Sequence, residues 1–192
     1  MRVIGGKARR RQLRAPNVPG LRPTSDRVRE AVFDILASLG AVEGASVLDV
    51  FAGSGALGIE ALSRGADSVC FVESDRRAVA GIRDNLDSTG FGTAPGVRVV
   101  RTEALGFLAR EAGAGKRYDL AFVDPPYAFE DWRPLLELLP ADVAVLESAV
   151  PVDVPPAFLV RREYRYGGTL VTVVEASEVG RDDPRTTEKD PV

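Results

Sequence analysis

Apolar positions along the chain follow two alternating periods. Five short runs are apolar and β-branched, at strand length: Ser46 to Phe51, Val69 to Glu73, Val97 to Arg101, Tyr118 to Val123 and Val143 to Glu147. Between them, apolar residues recur every three or four positions, which predicts helices. One helix runs from the glycine-rich stretch after the first strand to about Arg64. A second is capped by Asp75 and runs to about Leu86, with Ala78, Val79, Ile82 and Leu86 inward. Others cover Ala104 to Arg110 and Trp132 to Leu139. Ahead of the first strand, Pro23 and Thr24 open a helix to about Leu39, with Thr24 as N-cap and Val28, Val32, Ile35, Leu36 and Leu39 on one face. Phe158 to Tyr164 and Thr169 to Glu175, joined at Gly167-Gly168, predict an antiparallel hairpin.

Strand–helix alternation through five units predicts an α/β fold: a Rossmann-like, doubly wound, mostly parallel sheet of seven strands, closed by the C-terminal hairpin. There is no internal repeat. The expected organisation is a basic N-terminal arm over residues 1–23, one domain over 24–175, and a charged, proline-containing tail from Ala176 that should be disordered. The arm, punctuated by Gly and Pro, is expected to be extended, with room for a short hairpin.

Two stretches carry chemistry. Asp124-Pro125-Pro126-Tyr127 follows the fourth strand, and its prolines end that strand because neither can donate to a ladder. A carboxylate, a stiff carbonyl and an aromatic ring thus stand at a strand's carboxyl end, where open α/β sheets bind ligands. Such a set suits a flat group bearing an NH2. Gly53, Gly55 and Gly58 match G-x-G-x-x-G between a strand and a helix, and Glu73 ends the next strand 18 residues past Gly55. Glycines for close approach and an acid for a ribose diol serve NAD and S-adenosylmethionine alike. Asp49 separates them. Inside the loop's own strand it would face the ammonium of a methionine moiety, but it would repel a pyrophosphate.

Composition narrows the setting. With 192 residues, 45% of them hydrophobic, one domain with a sizeable core is expected. No apolar run approaches the roughly 20 residues of a membrane span. The N-terminus lacks the apolar segment of a signal peptide. The lone cysteine, Cys70, excludes an internal disulfide, which fits the cytoplasm. The sequence contains no histidine, so His-based acid–base work, Ser-His-Asp and Cys-His nucleophiles and ordinary zinc sites are excluded, and no metal is expected. The net charge of −3 hides an asymmetry. Residues 1–30 hold Arg2, Lys7, Arg9, Arg10, Arg11, Arg14, Arg22, Arg27 and Arg29 against Asp26 and Glu30, while the remainder carries 16 basic and 26 acidic residues. A basic arm on an acidic body is a nucleic-acid signature, and arginine over lysine favours phosphate and base contacts. Removing residues 1–20 is accordingly expected to cost RNA affinity and salt dependence while leaving cofactor affinity nearly constant.

The combination of Asp49-x-Phe51-x-Gly53-x-Gly55 with Asp124-Pro125-Pro126-Tyr127 resembles the amino-methyltransferases of the class I S-adenosylmethionine fold. Ile4-Gly5-Gly6, the arginines, Leu21 to Glu30 and Phe51 to Gly65 together resemble the RsmD family, bacterial 16S ribosomal RNA guanine-N2 methyltransferases. The likeness runs from about Arg2 to Glu175. It implies methyl transfer to the exocyclic N2 of a guanine, with Asp124, Pro125, Pro126 and Tyr127 at the target base. It implies S-adenosylmethionine held by Asp49, Phe51, Gly53, Ser54, Gly55, Glu73, Ser74, Glu103 and Ala104. It implies RNA met by the nine basic residues of the N-terminal region, within an assembling small subunit and by a monomer. Two departures stand out. Arg9-Arg10-Arg11 lacks the glycine that often separates arginines in the family, and Glu103-Ala104 stands where relatives often have Asp-Ala near the adenine. The competing readings are methylation of DNA adenine N6 or a protein glutamine, whose enzymes more often carry Asn before Pro-Pro, and a non-catalytic RNA-binding protein.

Overall fold

The computed structural model describes residues 1–15 and 26–177. A single seven-stranded sheet has the order β3-β2-β1-β4-β5-β7-β6. Its strands are β1 (Ser46–Val50), β2 (Ser68–Glu73), β3 (Val97–Arg101), β4 (Tyr118–Val123), β5 (Ala141–Ser148), β6 (Phe158–Tyr166) and β7 (Thr169–Ala176). The first five pair in parallel, and β7 runs antiparallel to both β5 and β6. The expected Rossmann-like fold is therefore present. Among the described residues no helix is long and apolar enough to cross a membrane.

The sheet's two faces follow from strand alternation. Val47, Phe71, Phe122, Val145, Val171 and Val173 pack towards α1 (Asp26–Ser38), α2 (Ala56–Ser63) and α3 (Arg76–Thr89). Leu48, Val50, Val72, Ala121, Leu146 and Val174 face α4 (Ala104–Gly113) and α5 (Trp132–Leu138). In α1, Val28, Val32, Phe33 and Leu36 are buried, with Phe33 against Phe122 at 5.5 Å between rings. Leu39, expected on that face, lies beyond the helix end and is 50% exposed. The helix start at Pro23 and Thr24 lies outside the described residues. Asp75 caps α3 as expected, its carboxylate accepting Arg77 N–H at 2.7 Å and Ala78 N–H at 2.9 Å.

Residues 1–15 correct the picture of an extended arm. Arg2 pairs with Gln12 in an antiparallel bridge, and Val3, Ala8 and Leu13 are buried in the core. The cause lies in α2. All eight of its residues are buried, so the face turned away from the sheet needs a cover, and the N-terminal segment supplies it. Glu60, one of those eight, accepts Ile4 N–H and Gly5 N–H, both at 2.7 Å, and pairs with Arg64 at 2.8 Å. Ser63 O accepts Lys7 N–H at 2.8 Å. Gly6, at φ 71, comes so close to the helix that a Cβ would lie 1.8 Å from Ser63 O. The Ile4-Gly5-Gly6 sequence is thus the seam between this segment and α2.

The other end of the chain differs from expectation as well. Ala176, placed in the tail, pairs with Phe158, and Ser177 is buried with its N–H on Ala157 O at 2.8 Å. Residues 178–192 lie outside the described residues.

Candidate active site and its nucleic-acid face

β1 lies between β2 and β4, and the connections leave it in opposite directions, so the carboxyl end of β1 is the topological switch point. The loop after β1 bends sharply there. Phe51 holds φ 59, a left-handed conformation that non-glycine residues seldom adopt and that gathers at functional sites. Gly53 and Gly55 follow at φ 54 and φ 74. Gly58 has no room for a side chain: a Cβ would meet the Phe71 ring at 2.3 Å. Its N–H donates to Asp49 Oδ2 at 2.9 Å.

Three carboxylates converge on this loop. Asp49 is buried beneath it, and burial pushes its carboxyl well above the usual range. The Gly58 N–H opposes the shift, while the nearby charges of Asp124 and Glu73 add to it. Glu73 accepts Gly53 N–H and Asp75 N–H, both at 2.9 Å, which ties the loop to the end of β2. Asp124 follows β4 and continues the alternation of Leu120 and Phe122, on the same sheet face as Asp49. A buried, poorly compensated acid flanked by two others suits a cationic ligand and disfavours a pyrophosphate. No group among the described residues is arranged to hold a metal ion.

The turn after β4 is fixed from within. Pro126 O accepts Phe129 N–H at 2.9 Å, whereas no donor among the described residues sits on Pro125 O. Tyr127 projects outward and is 59% exposed. Behind it the Phe129 ring packs edge-on to Phe51 at 5.2 Å and to Trp132 at 5.6 Å. Phe129 and Trp132 escaped sequence reasoning, although an aromatic pair just past Pro-Pro was the available signal. Ser74 is exposed beyond Glu73. Glu103 and Ala104 open α4 past the end of β3, on the β2 side of the loop; Glu103 is exposed and its side chain caps nothing.

Asn85 also went unnoticed in the sequence. Buried in α3, its amide accepts Arg14 N–H at 2.8 Å and donates to Arg14 O and to Ser54 O, each at 2.9 Å. One side chain thereby joins the N-terminal segment to the glycine loop. Removing residues 1–20 would take away the Arg14 partner of this side chain, which the expectation of an unaffected body did not include.

The basic residues divide. Arg2, Lys7, Arg9, Arg10, Arg11, Arg14 and Arg27 are exposed. Arg2, Arg9 and Arg10 line one groove with Asp26 and Glu30. Arg22 lies outside the described residues. Arg29 is fully buried, its guanidinium bonded to Asp26 Oδ1 at 2.8 Å and to the Arg2 carbonyl, so it holds the segment down and has no face for RNA.

A doubly wound sheet whose glycine loop is underlain by a buried acid, with an acid-led Pro-Pro turn beside it, has the architecture of the Rossmann-like methyltransferase class. Comparison with known proteins narrows this. Residues 1–172 match the family described as Conserved hypothetical protein 95; the chain belongs to it, the RsmD family of methyltransferases. "Ribosomal RNA small subunit methyltransferase D" of Escherichia coli K12 is 46% identical over 127 residues, covering 66% of this chain and 60% of that protein's length. Its namesake in Haemophilus influenzae is 37% identical over 139 residues, covering 72% of this chain and 70% of the relative. The solved structure titled "Putative methyltransferase yhhF from Escherichia coli" superposes with a TM-score of 0.78 at 38% identity, covering 92% of this chain and 97% of that one.

Proposed function

We propose that this chain uses S-adenosylmethionine to methylate the exocyclic N2 of a guanine in small-subunit (16S) ribosomal RNA, acting as a monomer in the cytoplasm on an assembling particle. The observation that carries the reading is the meeting of Asp49, Glu73 and the Asp124 turn around one glycine loop, in a chain whose relatives are named as small-subunit rRNA methyltransferases. Asp rather than Asn before Pro-Pro favours guanine N2 over adenine N6 or a glutamine amide.

The chemistry of the donor set fits the cofactor. Asp49 would meet the methionine ammonium, Glu73 the ribose diol, Gly53, Ser54 and Gly55 the backbone side, and Phe51 an apolar wall; Ser74, Glu103 and Ala104 would flank the adenine. When bound, the cofactor supplies an electrophilic methyl group on a sulfonium. Asp124 and the Pro125 carbonyl each accept one N–H of the guanine amine, which turns its poorly nucleophilic lone pair towards that methyl. As the N–C bond formed the methyl–sulfur bond would break, leaving S-adenosylhomocysteine, and an Asp124 carboxylate oxygen would take the proton the amine loses. Tyr127 stacks on the base, worth ~1–3 kcal/mol, once the base has left its own stack. Exposed Arg2, Lys7, Arg9, Arg10, Arg11, Arg14 and Arg27, joined by Arg22, hold phosphates.

The test is mass mapping of methylated nucleosides in small-subunit ribosomal RNA from cells with the intact protein and with Asp124→Ala. One N2-methylguanosine should vanish in the variant. In vitro the variant should lose about 10²–10⁴ in turnover while calorimetry finds cofactor affinity retained. Equal loss of both would place Asp124 in the cofactor site, and NAD binding in place of S-adenosylmethionine would overturn the cofactor.

A further inference from the structure

The far edge of the sheet carries a surface that the reaction above leaves unused. In β6, residues 159–165 are exposed without a break, including Leu159 at 48%, Val160 at 52% and Tyr164 at 36%. Long edge strands are ordinarily shielded. The register shifts once, between Val160 opposite Val174 and Arg162 opposite Val173. Arg161 is the extra residue, and its guanidinium pairs with Glu175 at 2.6 Å. The bulge changes which face the following side chains occupy. Val160 lies opposite Val174, which packs with α4 and α5, whereas Arg162 and Tyr164 lie opposite Val173 and Val171, which pack with α1. The bulge therefore turns Arg162, Tyr164 and Tyr166 to the sheet face on which Asp124 stands.

Register also sets their height. Val123 pairs with Leu146, Glu147 with Val171, and Val171 with Tyr164, so Tyr164 lies level with Asp124. Three strand spacings separate them, roughly 14 Å. The Tyr164 and Tyr166 rings are stacked at 6.3 Å and 29°. Arg162 forms no ion pair with any described acid, and the strand's only acid, Glu163, stands with Arg165 on the other face.

We propose that the carboxyl half of β6 is a second RNA contact, in which Tyr164 stacks on a single-stranded nucleotide flanking the target guanine and Arg162 holds its phosphate. The inference rests on the reading of the chain as an RNA methyltransferase. Two variants test it, Tyr164→Ala and Arg162→Ala. Each is compared with the unaltered chain for binding to unmodified small-subunit ribosomal RNA over a salt series, for methyl transfer, for cofactor titration and for sedimentation. Losing one stacked base should weaken RNA binding roughly five- to hundredfold. Losing the arginine should flatten the log–log salt slope by ~0.7, the share of one contact on a single strand. The RNA KM should rise, while kcat at saturating RNA and cofactor affinity stay constant. Unchanged RNA affinity and slope would overturn the proposal. So would a self-associating protein that these substitutions make monomeric, because β6 would then be an edge for a second copy. Asp124→Ala on the same RNA separates the two readings: if it abolishes transfer while the β6 variants bind normally, only the second contact falls. If the unaltered chain transfers no methyl to RNA, the underlying reading fails, and the binding comparison still decides β6.

Discussion

Two basic regions of this molecule, the N-terminal segment and strand β6, are attached very differently. The N-terminal segment looks detachable in sequence. In the structure Val3, Ala8 and Leu13 enter the core, and Glu60, Ser63 and Asn85 hold its backbone. Strand β6 is integrated into the sheet by β7 on one side, yet seven successive residues stay open to solvent. Arginine density therefore says little about attachment. What decides it is whether the covered element, here the wholly buried α2, has any other way to hide its apolar surface and its buried acid.

The strongest test of that contrast is deletion. Removing residues 1–15 strips Glu60 of two N–H donors and bares the pockets of three buried side chains, a loss of at least about 5 kcal/mol. That is comparable to the whole stability of a domain. The truncated chain should fail to show a cooperative melt by circular dichroism, whereas Arg162→Ala in β6 should melt within about 0.5 kcal/mol of the unaltered chain. A truncated chain that folds and binds cofactor normally would make the segment detachable after all.

A smaller change probes the seam itself. Gly6→Ala combines a left-handed φ with a Cβ placed against Ser63 O and should cost about 3 kcal/mol in urea unfolding. Glycine-to-alanine at Gly168, in the β6–β7 turn, meets open space and should cost far less.

Of two buried acids at α2, Glu60 within the helix has two N–H donors and Arg64, whereas Asp49 beneath it accepts the Gly58 N–H. Asp49 has its carboxyl raised, so its contribution to stability is present below the ordinary carboxyl pKa of about 3.9 and is lost as pH rises through its folded value. The cofactor-free chain should weaken as pH rises above about 4. Asp49→Asn should remove that decline yet, if Asp49 meets the cofactor's ammonium as proposed, weaken cofactor binding at least about tenfold, since the charge that burial disfavours is the one lost. Melts across pH and calorimetry decide it; a decline persisting in Asp49→Asn would assign it to another group.

The smallest effect concerns Arg10, which holds φ 70 in the turn of the N-terminal segment. Arg10 is the middle residue of Arg9-Arg10-Arg11, and a left-handed φ is one that glycine adopts without strain. Arg10→Gly should be neutral or stabilising by up to about 1 kcal/mol. If Arg10 meets a phosphate, the salt slope for RNA binding should fall by ~0.7–0.9.

Much of the fold was legible in the chain because it rests on local period. β3 and β4 occur with the bounds their sequences predict, and Asp75 caps α3 as its side-chain chemistry requires. The glycine loop, Glu73 and the Pro-Pro turn were legible for the same reason, since each is a short stretch whose backbone demands are written in its own residues. The family likeness added the expectation of a guanine in ribosomal RNA, which no pattern of spacing carries.

What the sequence could not decide is which surfaces meet. Glu60 reads as one acid in an apolar helix; only packing shows that two N–H groups 55 and 56 residues away complete it. Arg29 reads as part of a basic cluster, and tertiary structure turns it inward to Asp26 and the Arg2 carbonyl. The bulge at Arg161 leaves no mark on composition, yet it sets the face on which Tyr164 stands. Hydrophobic period and turn chemistry act within a few residues and so are fixed by the chain alone. Burial of a charge, the covering of a helix and the facing of an edge strand depend on partners far away in sequence, and they come into being only when the chain has closed on itself.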